Sequence, residues 1–215
     1  MTYLNLVNNV LRRIREDEVV SVNDTTYSKM AGDFVNDAKQ IVENAWDWSA
    51  LYSTITVSAV NATDTYSLTG SQSDIKIFQA YNDTSNTYLE YRPKVWFDEQ
   101  NELNTPVSGS PNYYTLVGVD GSGDSTVQVY PIPDGSYSLK FKATKRNVRL
   151  SADGDNLAIP EYPVIHLAVA LLARERGETG GTSAAEYFAI ADKFLSDAIA
   201  LDAQKAPETT VWYTP

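Results

Sequence analysis

The sequence predicts an α+β fold: an antiparallel helical bundle of two N-terminal and two C-terminal helices, an inserted antiparallel β module, and an extended C-terminal arm. Three observations carry this reading. Apolar residues recur at helical spacing near both ends of the chain, the period falls to two between residues 50 and 147, and a polar, proline-containing spacer follows the last periodic segment. The implied boundaries are 1–49 and 148–202 for the bundle, 50–147 for the β module and 203–215 for the arm. An insertion is tolerated best where its ends lie close together, so the module is expected to project from one end of the bundle.

Tyr3, Leu4, Val7, Leu11 and Ile14 mark the first helix. Tyr27, Met30, Ala31, Phe34, Ala38, Ile41, Val42 and Ala45 mark the second, and Thr25 or Thr26 is placed to cap it by accepting a bond from an unpaired N–H. The link "EDEVVSVND" is short, so the two helices are expected to pack as an antiparallel hairpin. After "WDW" the pattern alternates. "LYSTITVSAV", "DTYSLTG", "DIKIFQAY", "NTYLEYR", "NYYTLVG", "STVQVYP" and "SYSLKFKATKR" read as strands, separated by Asn-, Asp-, Gly- and Pro-rich turn signals. "KVWFDEQNEL" between them reads as one short helix or a turn-rich loop.

Helical spacing returns in "IPEYPVIHLAVALLARERGE", with Pro160 and Pro163 near its start, where helical N–H groups lack partners anyway, and Gly177 at its end. Ser183 with Glu186 forms a capping box for the last helix, whose apolar side carries Tyr187, Ile190, Ala191, Phe194, Leu195, Ala198 and Leu201. Pro207 stops it.

Composition limits function. The chain has 215 residues, 43% hydrophobic and 21% charged, which suits a globular protein with a substantial core. Its net charge of -11 argues against wrapping nucleic acid, which needs a basic stripe, but suits the wall of a passage that must not hold DNA. With no cysteine, disulfides, thiolate catalysis and Cys-based zinc sites are excluded. The N-terminus carries no signal-peptide pattern, and the apolar run Val164 to Ala173 is about half the length of a membrane span, so no membrane association is expected. The N-x-Thr triplets at Asn23, Asn61 and Asn82 then read as chance matches.

No constellation persuades as an active site, so the protein reads as a non-enzyme without cofactor or metal. His166, the only histidine, lies in an apolar run and reads as a core or interface residue. "DGSGDS" at 120–125 and "ADGDN" at 152–156 lack the spacing and distal Glu of a calcium loop. Trp46 and Trp48 could form a sugar-stacking platform, but they close an apolar helix face and read better as packing at the junction of bundle and β module. The arm offers the sharper candidate. "QKAPETT" is a polar spacer that presents Val211, Trp212 and Tyr213, flanked by Pro207 and Pro215, either back onto the domain or to a partner.

The whole order of elements resembles the head–tail adaptor (connector) proteins of tailed bacteriophages, including the tail tubular A proteins of short-tailed phages. The likeness rests on "LVNNVLRRIREDEVVSV", "AKQIVENAWDWSAL", "SGSPNYYTLVG" with "VQVYPIPDGSYSLKFKATKRNVRLS", and the closing pair "AIPEYPVIHLAVALLARERGE" and "AAEYFAIADKFLSDAIALDAQ". One departure is the first turn, "REDEVVSV", where many relatives have a Gly. The resemblance implies a structural virion protein that assembles in the host cytoplasm and forms a homo-oligomeric ring of roughly twelve copies under the portal protein. It implies that the arm inserts between portal subunits, making Pro207, Val211, Trp212, Tyr213 and Pro215 the portal contact. The β module would face a downstream tail or nozzle protein, and genomic DNA would pass through the centre without specific binding. Another tail or baseplate role, or a carbohydrate-binding β module, are the alternatives.

Overall fold

The computed structural model of the chain describes residues 1–177 and 182–205, with backbone only at 182–184. The capping side chain of Ser183 and the arm residues Pro207, Val211, Trp212, Tyr213 and Pro215 lie outside the described residues. The chain divides into two compact units: Met1–Ala50 with the described chain from Asn147 onward, and Leu51–Arg146. Helices occupy the first and antiparallel-rich sheets the second, so the α+β class stands.

In the first unit, α1 (Tyr3–Arg13) and α2 (Thr26–Ala45) precede the strands, and α4 (Glu161–Glu175) and α5 (Thr182–Ala203) follow them. Thr25, not Thr26, caps α2. Its Oγ1 accepts from Ser28 N at 2.9 Å while Ser28 Oγ accepts from Thr25 N at 3.0 Å, so two otherwise unpaired donors are satisfied together. Gly177, with φ 79°, follows the end of α4, and its N–H donates to Arg174 O at 3.2 Å.

α4 packs against α1, α2 and α5, which explains why it is apolar nearly all round. α2 buries Ala31, Val35, Ala38 and Val42 where it packs on α1 and α4. This buried face differs from the expected stripe. Ile41 and Ala45 are exposed, whereas the polar Asn36, Lys39 and Glu43 are buried. α5 departs from expectation similarly: Ala191 and Ala198 are buried, but Ile190 and Leu201 are exposed. Its main packing partner is α4, so one flank of its apolar side is covered and the rest is left to solvent.

The second unit is a sandwich of two four-stranded sheets. The first sheet takes the order β1 (Tyr52–Ala59), β8 (Tyr137–Lys145), β3 (Ile75–Asn82), β4 (Thr87–Tyr88). The second takes β2 (Thr65–Ser67), β7 (Ser125–Tyr130), β6 (Tyr113–Val119), β5 (Glu90–Tyr91). Alternation sends Ile55, Val57, Leu139 and Phe141 from one sheet and Tyr114, Val127 and Val129 from the other into one core. The β module is expected to be antiparallel throughout, and one pair is not: β5 runs parallel to β6. The intervening segment leaves the sheet as a short helix, α3 (Lys94–Asp98), continues through a wide turn at Glu99–Leu103, and re-enters in the same direction. α3 lies on the outer face of the second sheet. Trp96 and Phe97 meet Tyr130 edge-on, and Arg92 stacks over Tyr113.

The tyrosines therefore divide three ways, which their spacing left open. Tyr114 enters the core, Tyr113 and Tyr130 support α3, and Tyr52 and Tyr88 are exposed. Asn82 is fully buried, and its side chain bonds Ser110 and Ser85, so its N-x-Thr triplet serves a turn.

Gly32 supports one prediction. A Cβ there would lie 2.4 Å from Tyr3 Oη and 2.9 Å from Val22 Cγ1. Gly32→Ala should gain ~1 kcal/mol of helix propensity. It should nevertheless destabilise by a net ~1–3 kcal/mol in urea unfolding, because Tyr3 is buried and its hydroxyl, which accepts from Asn36 Nδ2 at 3.1 Å, must move.

Candidate partner-binding site

The described chain of the first unit closes at Lys205, just after the end of α5, next to the residues expected as the arm. Helix α2 ends at Trp46, whose extended backbone (φ -152°, ψ 154°) turns the chain outward. Trp48 then folds back and is fully buried, with its Nε1 donating to Val42 O at 2.8 Å, one of the carbonyls a helix end leaves open. A ring so enclosed offers no face to a sugar. Trp46 stays 38% exposed and donates its Nε1 to Asp202 Oδ2 at 3.2 Å.

Asp202 is the hub. It is 6% exposed, and its carboxylate accepts from Ser49 N at 2.9 Å, Ser49 Oγ at 2.7 Å and Lys205 Nζ at 2.8 Å as well as from Trp46. Burial alone would raise its pKa. The bonds from the Lys205 side chain and from the Ser49 side chain and backbone outweigh that and hold it at about 2. The last turn of α5 is thereby fastened to the segment just after α2. The spacing of α5 carries a signal for this: Asp202 falls four residues after Ala198, on the otherwise apolar side, where a carboxylate is tolerated only with built-in partners. Ser49 and Lys205 carry no such signal.

Beside the clasp lies a groove of about 480 Å³ lined by Pro160, Tyr162, Phe194, Ala198, Leu201 and Lys205. Phe194 forms its floor, stacked on His166 at 4.3 Å and on Tyr162 at 5.8 Å. Burial, then the charge of Arg13, lowers the His166 pKa, so at neutral pH the ring is uncharged and stacks as an apolar plate. The half-buried ring thus packs inside the helical unit, on α5.

Elsewhere the acidic loops spend their carboxylates on the backbone. Asp120 Oδ1 accepts from Ser122 N and Asp124 N, Asp124 accepts from Gly70 N and Gln72 N, and Asp155 Oδ2 accepts from Ser151 N and Ala152 N. The Ser67 hydroxyl and these N–H groups lower the Asp120 pKa, as the Ser151 and Ala152 N–H groups lower that of Asp155. Among the described residues no three acidic or histidine side chains gather as a metal ion would need, and no helix is long and apolar enough to cross a membrane.

A protein-family model described as SU10 adaptor protein matches residues 1–213, nearly the entire chain. No curated protein matches it.

The Asp202 clasp predicts a pH-dependent stability. The carboxyl pKa is lower in the folded than in the unfolded chain, 3.8 falling to about 2, so the clasp stabilises above pH ~4 and loses its effect as the pH falls toward 2. Asp202→Asn should therefore cost ~2 kcal/mol in urea unfolding at pH 7, with the gap to the parent protein narrowing between pH 4 and pH 2.

Proposed function

The chain belongs to the SU10 adaptor protein family, a family of phage head–tail adaptors, and on that premise we propose that it docks as a ring under the portal of the DNA-filled head and joins it to the tail. The observation that carries this reading is the family match running from residue 1 to 213, through both compact units and into the terminal segment. The ring holds roughly twelve copies, and the protein acts as structure, without an enzymatic step or a cofactor. It assembles in the host cytoplasm and resides in the neck of the virion.

Val211, Trp212 and Tyr213 form the portal anchor, with Pro207 and Pro215 keeping the arm extended. One buried aromatic or aliphatic side chain contributes ~1.5–3 kcal/mol, so a single arm is a modest anchor and a ring of identical arms a strong one. The Asp202–Lys205 clasp supports this role, because it fixes where each arm begins. Trp46 and Trp48 act on the same end of the helical unit as packing residues for the chain that leads into the β module. The β module meets the downstream tail or nozzle protein. Genomic DNA passes through the centre, and the net charge of -11 keeps phosphate from adhering.

Capture of the cognate portal protein by the full chain and by a variant ending at Lys205 tests the anchor. The full chain should bind and the shortened one should lose at least ~100-fold in affinity, as expected when several large side chains leave an interface. Equal binding by both would move the portal contact onto the helices, and binding by neither would remove the adaptor role.

A further inference from the structure

We propose that the lysine- and aromatic-bearing outer face of the β1-β8-β3-β4 sheet docks on the α3 side of the β module in a second copy of the chain. The inference rests on the ring reading above and names its subunit contact.

The first observation is a local reversal of charge. The chain carries 28 acidic against 17 basic residues, yet the four strands of this sheet contain no carboxylate, and Lys76, Lys140 and Lys142 alternate with the inward residues onto its outer face. The register sets Lys140 opposite Tyr81 and opposite Thr56, on the face turned away from the core. Lys140 and Lys142 lie 5.8 and 5.6 Å from the Tyr81 ring. Asp83, just past the strand end, pairs with Lys140 at 2.8 Å, so the cations cluster beyond what one carboxylate neutralises. On the same sheet, Tyr52 and Phe78 meet at 5.2 Å with their rings tilted by 50° while each stays more than half exposed, at 55% and 52%, and Tyr88 is 73% exposed. Exposed aromatic rings grouped on an open sheet face are the composition of an interface, and the lysines around them give that interface its sign of charge.

The second observation is on the opposite side of the same sandwich. There α3 and the turn after it cover the second sheet and present Glu99 and Glu102, both exposed, beside Val95 at 77% and Leu103 at 82% exposure. One face of the module carries a surplus of lysines, and the other a surplus of carboxylates, with Arg92 and Lys94 there already paired to Glu90 and Asp98 and leaving Glu99 and Glu102. Pairing like faces about a two-fold axis would set lysine against lysine. Pairing one face with the other satisfies both charges and covers both sets of apolar side chains. Such a contact is heterologous, and repeated by rotation it closes into a ring.

The absence of cysteine allows a direct test. Lys142→Cys and Glu102→Cys are made separately, mixed, and treated with a short bis-maleimide, with the free protein and the portal-bound protein in parallel. The expected result is a cross-linked dimer from the mixture, little from either variant alone, and a ladder of multimers from the double variant. In sedimentation, Lys140→Glu with Lys142→Glu should weaken self-association by at least ~10-fold without lowering the melting temperature, and mixing with Glu99→Lys, Glu102→Lys should recover it. Native mass spectrometry of the free and portal-bound protein separates this inference from its premise. If multimers form but the mixture does not cross-link, or Lys142→Cys alone does, the contact lies elsewhere and this inference falls while the ring stands. If no species larger than a monomer of the chain forms in either state, the ring reading falls and takes the contact with it.

Discussion

One buried asparagine holds the helical unit together after the chain has left it for the β module and come back. Asn36, on α2, accepts from Leu150 N at 2.8 Å and donates to Leu150 O at 3.1 Å, pairing with the returning backbone as a neighbouring strand would. Its Nδ2 also bonds Tyr3 Oη, so α1, α2 and the returning segment meet at one side chain. One turn further along α2, Lys39 donates to Asn147 O at 2.8 Å and pairs with Glu43 at 3.1 Å, both side chains nearly excluded from water. A buried charge is costly unless paired and hydrogen-bonded, and here both conditions hold. The same returning segment binds the start of α1, through Tyr3 N to Asp155 O at 2.8 Å, and the α1–α2 link, through Val22 N to Asp153 Oδ1 at 3.0 Å. α4 begins a few residues later with its position already set, and α5 can then pack on it.

The β module solves a different problem. Each sheet has one apolar face, and each buries that face against the other. The module spends its aromatic residues on both sides of that sandwich. Tyr114 and Phe141 meet at 5.6 Å inside, while outside Trp96, Tyr113 and Tyr130 seat α3. Charge is distributed unevenly on the same plan, with a surplus of lysines on the outer face of the first sheet and a surplus of carboxylates around α3.

The helical unit ends where the functional reading begins. Asp202 fastens the last turn of α5 to the chain after α2, so the start of the arm and the exit toward the strands share one carboxylate. Ser49 and Trp46 on the one side and Lys205 on the other are tied by bonds of 2.7 to 3.2 Å.

Hydrophobic period and turn chemistry determined much by themselves. The helix pairs, the run of strands between them, the cap at Thr25 and the stop at Gly177 all follow from local preferences that the final packing left in place. The order of those elements also carried the family. Tertiary structure decided which side of each helix was buried. Ile41 and Leu201 look like core residues by spacing and are exposed, while Asn36 and Lys39 look like surface residues and are buried. The parallel β5–β6 pair was equally hidden, because it depends on where α3 returns the chain. The physical reason is common to these cases. A polar side chain is stable inside only when a distant backbone group or a partner charge arrives to meet it, and that arrival belongs to the assembled fold, not to any stretch of the sequence.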